Sequence, residues 1–227
     1  MPTVMITGAN RGLGLEFARQ YGADGWRVLA TCREPDKADA LRALGGEVEV
    51  HPLDVADHRA VEALSGRLAG EAIDLLLNNA GIYGPRTEPE GDDDYRAWAE
   101  VLRINSMAPY KLARCFAGHV TQSEKKLIVT VTSKMGSMAD NTSGGSSIYR
   151  SSKAALNAVM KSMANDLAGS GVTVCVLHPG WVRTDMGGPG ALIDAPESVS
   201  GMRRVIAGLG PGDSGGFFDF EGNRVPW

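Results

Sequence analysis

Short apolar runs alternate with amphipathic stretches along the whole chain. Val4 to Thr7, Arg27 to Thr31, Val48 to His51, Ile73 to Leu77, Leu127 to Thr132 and Val172 to His178 have the length and β-branched composition of strands. A seventh strand is expected at Phe217 to Phe220, closed by a turn at Glu221-Gly222-Asn223. Helical periodicity occupies about 12–24, 36–45, 57–69, 93–122 and 148–169, and a further helix starts near Pro196. Strands that alternate with helices need right-handed crossovers, which leave the strands parallel and both sheet faces covered. The pattern predicts an α/β fold, a doubly wound parallel sheet of about seven strands with helices on both faces, built as one domain over 1–227. Glycine and proline crowd together at Gly187, Gly188, Pro189 and Gly190. That segment, about 186–208, reads equally as a mobile lid over a site and as a plain surface connection.

Composition narrows the function classes. With 43% hydrophobic and 22% charged residues and a net charge of -4, the chain has no basic field for nucleic acid. No apolar run reaches the ~18–20 residues that a membrane span needs. Cys32, Cys115 and Cys175 lie far apart without zinc-ligand spacing, so reduced thiols are expected. His51, His58, His119 and His178 form no cluster, and no metal is expected. The first residues lack the features of a secretory signal, so a cytoplasmic protein is expected, in which the sequon at Asn141-Thr142-Ser143 has no consequence.

The first strand runs into Thr7-Gly8-Ala9-Asn10-Arg11-Gly12-Leu13-Gly14, which opens the first helix. Glycines at 8, 12 and 14 allow a tight turn and let the backbone approach a pyrophosphate at the positive helix N-terminus, as in Rossmann folds. A glycine-rich turn can also be only a turn; its place between strand and helix favours the nucleotide. At the tip of the second strand an acid would bind the ribose 2′-hydroxyl of NAD. Here the run is Thr31-Cys32-Arg33, and Arg33, helped by Arg11, suits a 2′-phosphate. NADP(H) is thus expected over NAD(H), against the alternative of two surface arginines. Asp54, in Leu53-Asp54-Val55, is placed to accept from the adenine amino group, and Asn78-Asn79-Ala80-Gly81 lets the backbone pass close to a cofactor.

The candidate chemistry centres on Tyr149-Arg150-Ser151-Ser152-Lys153. Residues four apart share a helix face about 5–6 Å apart at Cβ, so the phenol and the ammonium can occupy one site. A nearby ammonium lowers a phenol's pKa. Taken alone, the pair is better described as an exposed helix face with Lys153 in solvent; the rest of the chain reverses that reading. Asn105 and Ser133 complete a tetrad with it.

TGANRGLG at 7–14, NNAG at 78–81, Asn105, Ser133, YRSSK at 149–153 and PGWVRTD at 179–185 together make the chain resemble the short-chain dehydrogenase/reductase family over nearly its whole length. TCRE at 31–34, SKMGSMADNTSGG at 133–145 and the terminal EGNRVPW make it most similar to the carbonyl-reductase-like branch, with its sniffer-type reductases and C-factor proteins. Ser133 stands sixteen residues before Tyr149, where about thirteen is usual in the family, which leaves Ser137 as a weaker candidate for the serine.

The resemblance implies reduction of an aldehyde or ketone by hydride transfer from NADPH. Tyr149 would donate the proton and Lys153 would lower its pKa and hold the nicotinamide ribose. Ser133 would polarise the carbonyl oxygen, and Asn105 would carry a water that resupplies the proton. Gly8, Asn10, Arg11, Gly12, Leu13, Gly14, Arg33, Asp54, Val55, Asn79, Ala80 and Gly81 would contact the cofactor, with Pro179, Gly180, Val182 and Thr184 covering the nicotinamide. Trp181 is as much a packing residue as a substrate contact. A homodimer or homotetramer is expected from the helices around 106–122 and 148–169, which commonly pair between subunits in this family. The alternative function is a C-factor-like, cofactor-binding signalling protein with little turnover.

Overall fold

The computed structural model describes residues 1–227. Seven parallel strands form one sheet in the order β3-β2-β1-β4-β5-β6-β7. They are β1 (Thr3–Thr7), β2 (Arg27–Cys32), β3 (Val48–Pro52), β4 (Leu75–Asn78), β5 (Leu127–Val131), β6 (Thr173–His178) and β7 (Phe217–Asp219). The helices are α1 (Gly12–Ala23), α2 (Asp39–Arg42), α3 (His58–Arg67), α4 (Asp92–Leu102), α5 (Ala108–Thr121), α6 (Ser147–Asp166) and α7 (Ala195–Gly208). Strand order reverses direction between β1 and β4, the switch point where such sheets open a crevice at the carboxyl ends of their strands.

Both faces of the sheet are buried, and the alternation along each strand divides the core in two. Met5, Leu29, Leu76, Ile128 and Val174 pack under α3, α5 and α6, which contribute Leu64, Phe116 and Met160. Their neighbours Ile6, Val28, Leu77, Val129 and Leu177 pack under α1, α2 and α7, which contribute Phe17, Leu41 and Met202. Side chains that point alternately up and down from a strand make this division unavoidable.

Three details differ from the periodicity. The pattern at 93–122 is two helices joined by a π-helical turn, Arg103–Met107. Pro109 has no amide to donate, so the helical ladder is already interrupted here, and the wider turn carries Asn105. The pattern at 36–45 breaks into a 3-10 turn, Pro35–Lys37, and the four-residue α2. β4 starts at Leu75 rather than Ile73, because the Ile73 amide donates to the His119 carbonyl at 3.1 Å instead of to a neighbouring strand.

The segment at 186–208 contains two kinds of structure. Its second part is α7, whose Val199, Met202 and Ile206 are buried in the core beside α1. Only its first part, up to α7, is loop. No helix is long and apolar enough to cross a membrane.

Candidate active site

The carboxyl ends of β1 and β4 are knitted together at the switch point. Thr7 Oγ1 accepts from the amides of Asn79 at 3.0 Å and Ala80 at 3.1 Å, and Asn79 Nδ2 donates to the carbonyls of Thr7 at 2.9 Å and Gly8 at 3.2 Å. Asn78 ties β4 to β5 through Thr130 Oγ1 at 3.3 Å. The glycine turn leaves β1 with positive φ at Gly8 (64°) and Gly12 (54°), where a side chain would be strained. At Gly14 a methyl would overlap the Gly8 carbonyl, so α1 starts in direct contact with the turn.

The N-terminus of α1 has Arg11 at its cap with no side-chain hydrogen bond, so its first amides are unclaimed by any cap. Arg11 itself forms an exposed ion pair with Asp185 at 3.3 Å. Asn10 is exposed, and Arg33 stands exposed just past β2. Asp54 is exposed beyond β3, its carboxylate accepting from the Ala56 amide at 3.0 Å, and Val55 is buried beneath it.

The segment after β6 folds back toward this turn. Val182 is buried and pairs with Ile193, and the Thr184 hydroxyl accepts from the Gly187 amide at 3.2 Å. The Thr184 methyl lies 3.7 Å from where a Cβ on Gly12 would stand, so Thr184 faces the glycine turn. Pro179 and Gly180 begin this return, and Gly180 has φ 84° where a methyl would press on Ile193 and Phe220.

The tetrad residues converge beside it. Tyr149 and Lys153 are not on an exposed helix face: they are 7% and 5% exposed. Lys153 Nζ donates to the Val131 carbonyl at the end of β5, at 3.1 Å. Asn105, fully buried in the π-helical turn, accepts from the Ile82 amide at 2.9 Å and donates to the Ile82 carbonyl at 2.8 Å and to Ser152 Oγ at 3.0 Å. A Cβ on Gly81 would stand 3.1 Å from Asn105 Oδ1 and 3.7 Å from Lys153 Nζ, which brings the NNAG segment into the same site.

Ser133 caps the 3-10 turn Lys134–Gly136 by accepting from the Met135 amide at 3.1 Å, and lies close enough to favour the Tyr149 phenolate by hydrogen bonding. Ser137 has other work. Its hydroxyl donates to the Trp227 carbonyl at 3.1 Å and accepts from the Asp140 amide at 3.1 Å, and it does not line the cavity. Ser133, Tyr149, Thr184 and Leu13 all border a cavity of about 620 Å³.

One expectation about the electrostatics is reversed. The Tyr149 phenol is pushed well above its ordinary range, chiefly by burial, with Ser133 opposing and Tyr83 adding to the rise. Lys153 does not counter this, because its ammonium is turned to the Val131 carbonyl and sits 5.8 Å from the phenol ring centre. Burial lowers Lys153 itself to about 8. His178, at the end of β6 and on the cavity wall, is held down to about 4 by burial and stays neutral.

Several site residues were not identified from the sequence. Tyr83 stacks on Tyr149 with centroids 4.4 Å apart and planes at 13°. Gly136 lets the 3-10 turn touch α6, since a Cβ there would come within 2.8 Å of the Lys153 backbone. Asn157 pins the same turn by donating to the Gly136 carbonyl at 3.3 Å and accepting from Thr132 at 2.7 Å. The only sequence signal for Tyr83 is its position two residues after NNAG; Gly136 and Asn157 carry none.

The residues fit a dinucleotide. The uncapped amides of α1 suit a diphosphate. Lys153 has three donor protons and one hydrogen bond, leaving donors for a ribose diol. Clusters of acidic, histidine or cysteine side chains able to hold a metal are absent.

Comparison with known proteins agrees. The family model for short chain dehydrogenase matches residues 2–190. C-signal of Myxococcus xanthus is 48% identical over 155 residues, covering 68% of this chain and 93% of that protein. The structure of the carbonyl reductase Sniffer of D. melanogaster superposes with a TM-score of 0.91 at 31% identity, covering 100% of both chains. The NADPH-bound carbonyl reductase from chicken fatty liver superposes with a TM-score of 0.91 at 33% identity, covering 100% of this chain and 94% of that one. The fold, the glycine turn and the buried tetrad thus agree with the family match: the chain belongs to the short-chain dehydrogenase/reductase family of oxidoreductases.

Proposed function

We propose that the protein is an NADP(H)-dependent reductase of aldehydes or ketones in which Tyr149 is the proton donor. The observation that carries this reading is that Ser133 and Tyr149 border one cavity beside the glycine turn while Lys153 and Asn105 are buried against Gly81. When bound, the reduced nicotinamide supplies the hydride that the carbonyl carbon accepts.

The chain's own residues do the rest. Ser133 Oγ holds the carbonyl oxygen and polarises it. Tyr149 gives its phenolic proton to that oxygen; burial keeps the phenol protonated, the form that reduction needs. Lys153 binds the ribose hydroxyls. Asn105, clamped to Ile82 and Ser152, holds the water that returns a proton to Lys153 and Tyr149. Arg33 and Arg11 favour a 2′-phosphate, with Arg11 exchanging its exposed partner Asp185 for the phosphate. The NADPH-bound relative from chicken supports this cofactor.

Tyr149→Phe tests the mechanism. Turnover of a carbonyl panel should fall by roughly 1,000-fold or more, because general acid catalysis by a positioned group is worth about 100- to 10,000-fold. NADPH binding should be nearly unchanged. A variant with near-normal kcat would refute the assignment.

A second reading, a nucleotide-binding signalling protein with little turnover, draws support from the identity to C-signal. Binding alone does not require a buried phenol and serine at a cavity, which is why reduction is preferred. NADPH binding without oxidation of NADPH by any carbonyl tested would favour the second reading.

A further inference from the structure

On the reductase reading, the wall of the cavity also defines a substrate class. Two guanidinium groups line the cavity without a carboxylate partner. Arg150 donates from Nε to the Gly145 carbonyl at 3.0 Å, from Nη2 to Ser143 Oγ at 3.0 Å and from Nη1 to the Met135 carbonyl at 3.5 Å. Arg86 donates from Nη2 to the Met186 carbonyl at 2.8 Å, and its guanidinium carbon lies 4.5 Å from the centre of the Tyr83 ring. Asp140, the one acid on the cavity wall, is paired with Lys134 at 3.4 Å. A guanidinium has five N–H donors, so both arginines keep donors and charge to offer.

The wall has an order. Tyr83 packs on the Tyr149 ring, and Arg86 packs on Tyr83, so the cation stands one aromatic ring away from the proposed proton donor. Tyr83 is fixed in place by a hydrogen bond of 3.0 Å with Ser146 Oγ. Trp181 and Met186 add apolar surface to the same cavity. In a chain of net charge -4, a cavity lined by three cations and one anion is a local departure that favours a negative ligand.

We propose that the substrate is a carbonyl compound with a flat apolar body and a carboxylate at its far end. Arg86 and Arg150 bind the carboxylate, whose geometry matches a guanidinium fork, and Trp181 and Met186 border the apolar body. Arg86 and Arg150 thereby select the substrate, while Tyr149 and Ser133 act on its carbonyl.

The test compares para-carboxybenzaldehyde with its methyl ester, using the full chain and NADPH at low ionic strength. The expected kcat/KM favours the acid by roughly 10-fold or more, mostly through KM, the discrimination that one charge-assisted hydrogen bond supplies. Arg86→Gln and Arg150→Gln should each move the acid-to-ester ratio toward one; general damage to the fold would lower both rates and leave the ratio alone. Equal kcat/KM for the two aldehydes in the unmodified protein overturns the proposal. A second arm needs no turnover: benzoate and benzyl alcohol are titrated into the NADP-bound protein by calorimetry. Tighter binding of benzoate, lost in the two variants, supports the carboxylate site even where neither aldehyde is reduced, and then it is the reductase reading that fails. Equal affinity for benzoate and benzyl alcohol overturns the site whether or not the aldehydes react.

Discussion

Lys153 is buried at a cost. Its pKa of about 8, against an ordinary 10.5, means that the unfolded chain binds more protons than the folded one between those values. Stability should therefore rise as pH climbs from about 8 to about 10.5, and the full penalty applies below about 8. Lys153→Met should melt higher than the unmodified protein at neutral pH without nucleotide, by roughly 2–4 °C for each kcal/mol recovered, and should lose the alkaline rise. Turnover should collapse in the same variant. Thermal melts from pH 7 to pH 10 check both, and a lower melting temperature at neutral pH would mean that the bond to Val131 outweighs the burial. A stabilised but inactive variant would mark Lys153 as retained for the site rather than for the fold.

At the scale of elements, the tetrad depends on how closely the turn after β5 approaches α6. Gly136 sets that distance, because a methyl would meet the Lys153 backbone itself and not a side chain that can move. Gly136→Ala should push the 3-10 turn outward, carrying Ser133 from Tyr149, and cost roughly 1–3 kcal/mol as overpacking does. kcat for carbonyl reduction should fall further than NADPH affinity, since the glycine turn after β1 lies on another strand. Kinetics read beside a nucleotide titration would show this. An unchanged kcat would mean that the turn does not position the serine. The π-helical turn serves the same end from the other side, presenting Asn105 to Ile82 and Ser152 at the point where α4 gives way to α5.

For the whole molecule, the parallel sheet gathers residues from β1, β2, β4, β5 and β6 at one end. Arg33 lies just past β2, apart from the tetrad carried by the π-helical turn, the end of β5 and α6, so cofactor choice and carbonyl chemistry are separable. Arg33→Asp should weaken NADPH by about 10- to 100-fold, the range for charge-assisted hydrogen bonds to a phosphate, and affect NADH much less. Melting shifts with NADPH and NADH at equal excess concentration report this, since a ligand raises stability with the logarithm of its concentration over its Kd. Equal shifts for the two nucleotides in the unmodified protein would remove the clamp from the proposal.

Much of the fold was legible because parallel strands covered on both faces must be continuous apolar runs, and such runs stand out at Ile73 to Leu77 and Val172 to His178, within two residues of β4 and β6. The glycine turn was legible for a local reason: positive φ at Gly8 and Gly12 constrains residue type wherever it occurs. Tyr149 and Lys153 were legible only in register with Asn105, Ser133 and the glycine turn, since their spacing on one helix also suits an exposed face. Their burial, the upward shift of the phenol and the turning of the ammonium to Val131 were not, because desolvation and hydrogen-bond direction depend on what other strands bring near. Ser133 and Ser137 were both open in the sequence, and only the packing of Trp227 against the loop gave Ser137 a structural partner. Tyr83, Arg86 and Arg150 belong to the same class: their types are ordinary, and three-dimensional adjacency alone makes them a wall of one cavity. The sequence by itself determined which residues are chemically capable and which strand ends carry them; tertiary structure decided which of them meet and in what dielectric, because contact and desolvation are properties of neighbours distant in the chain.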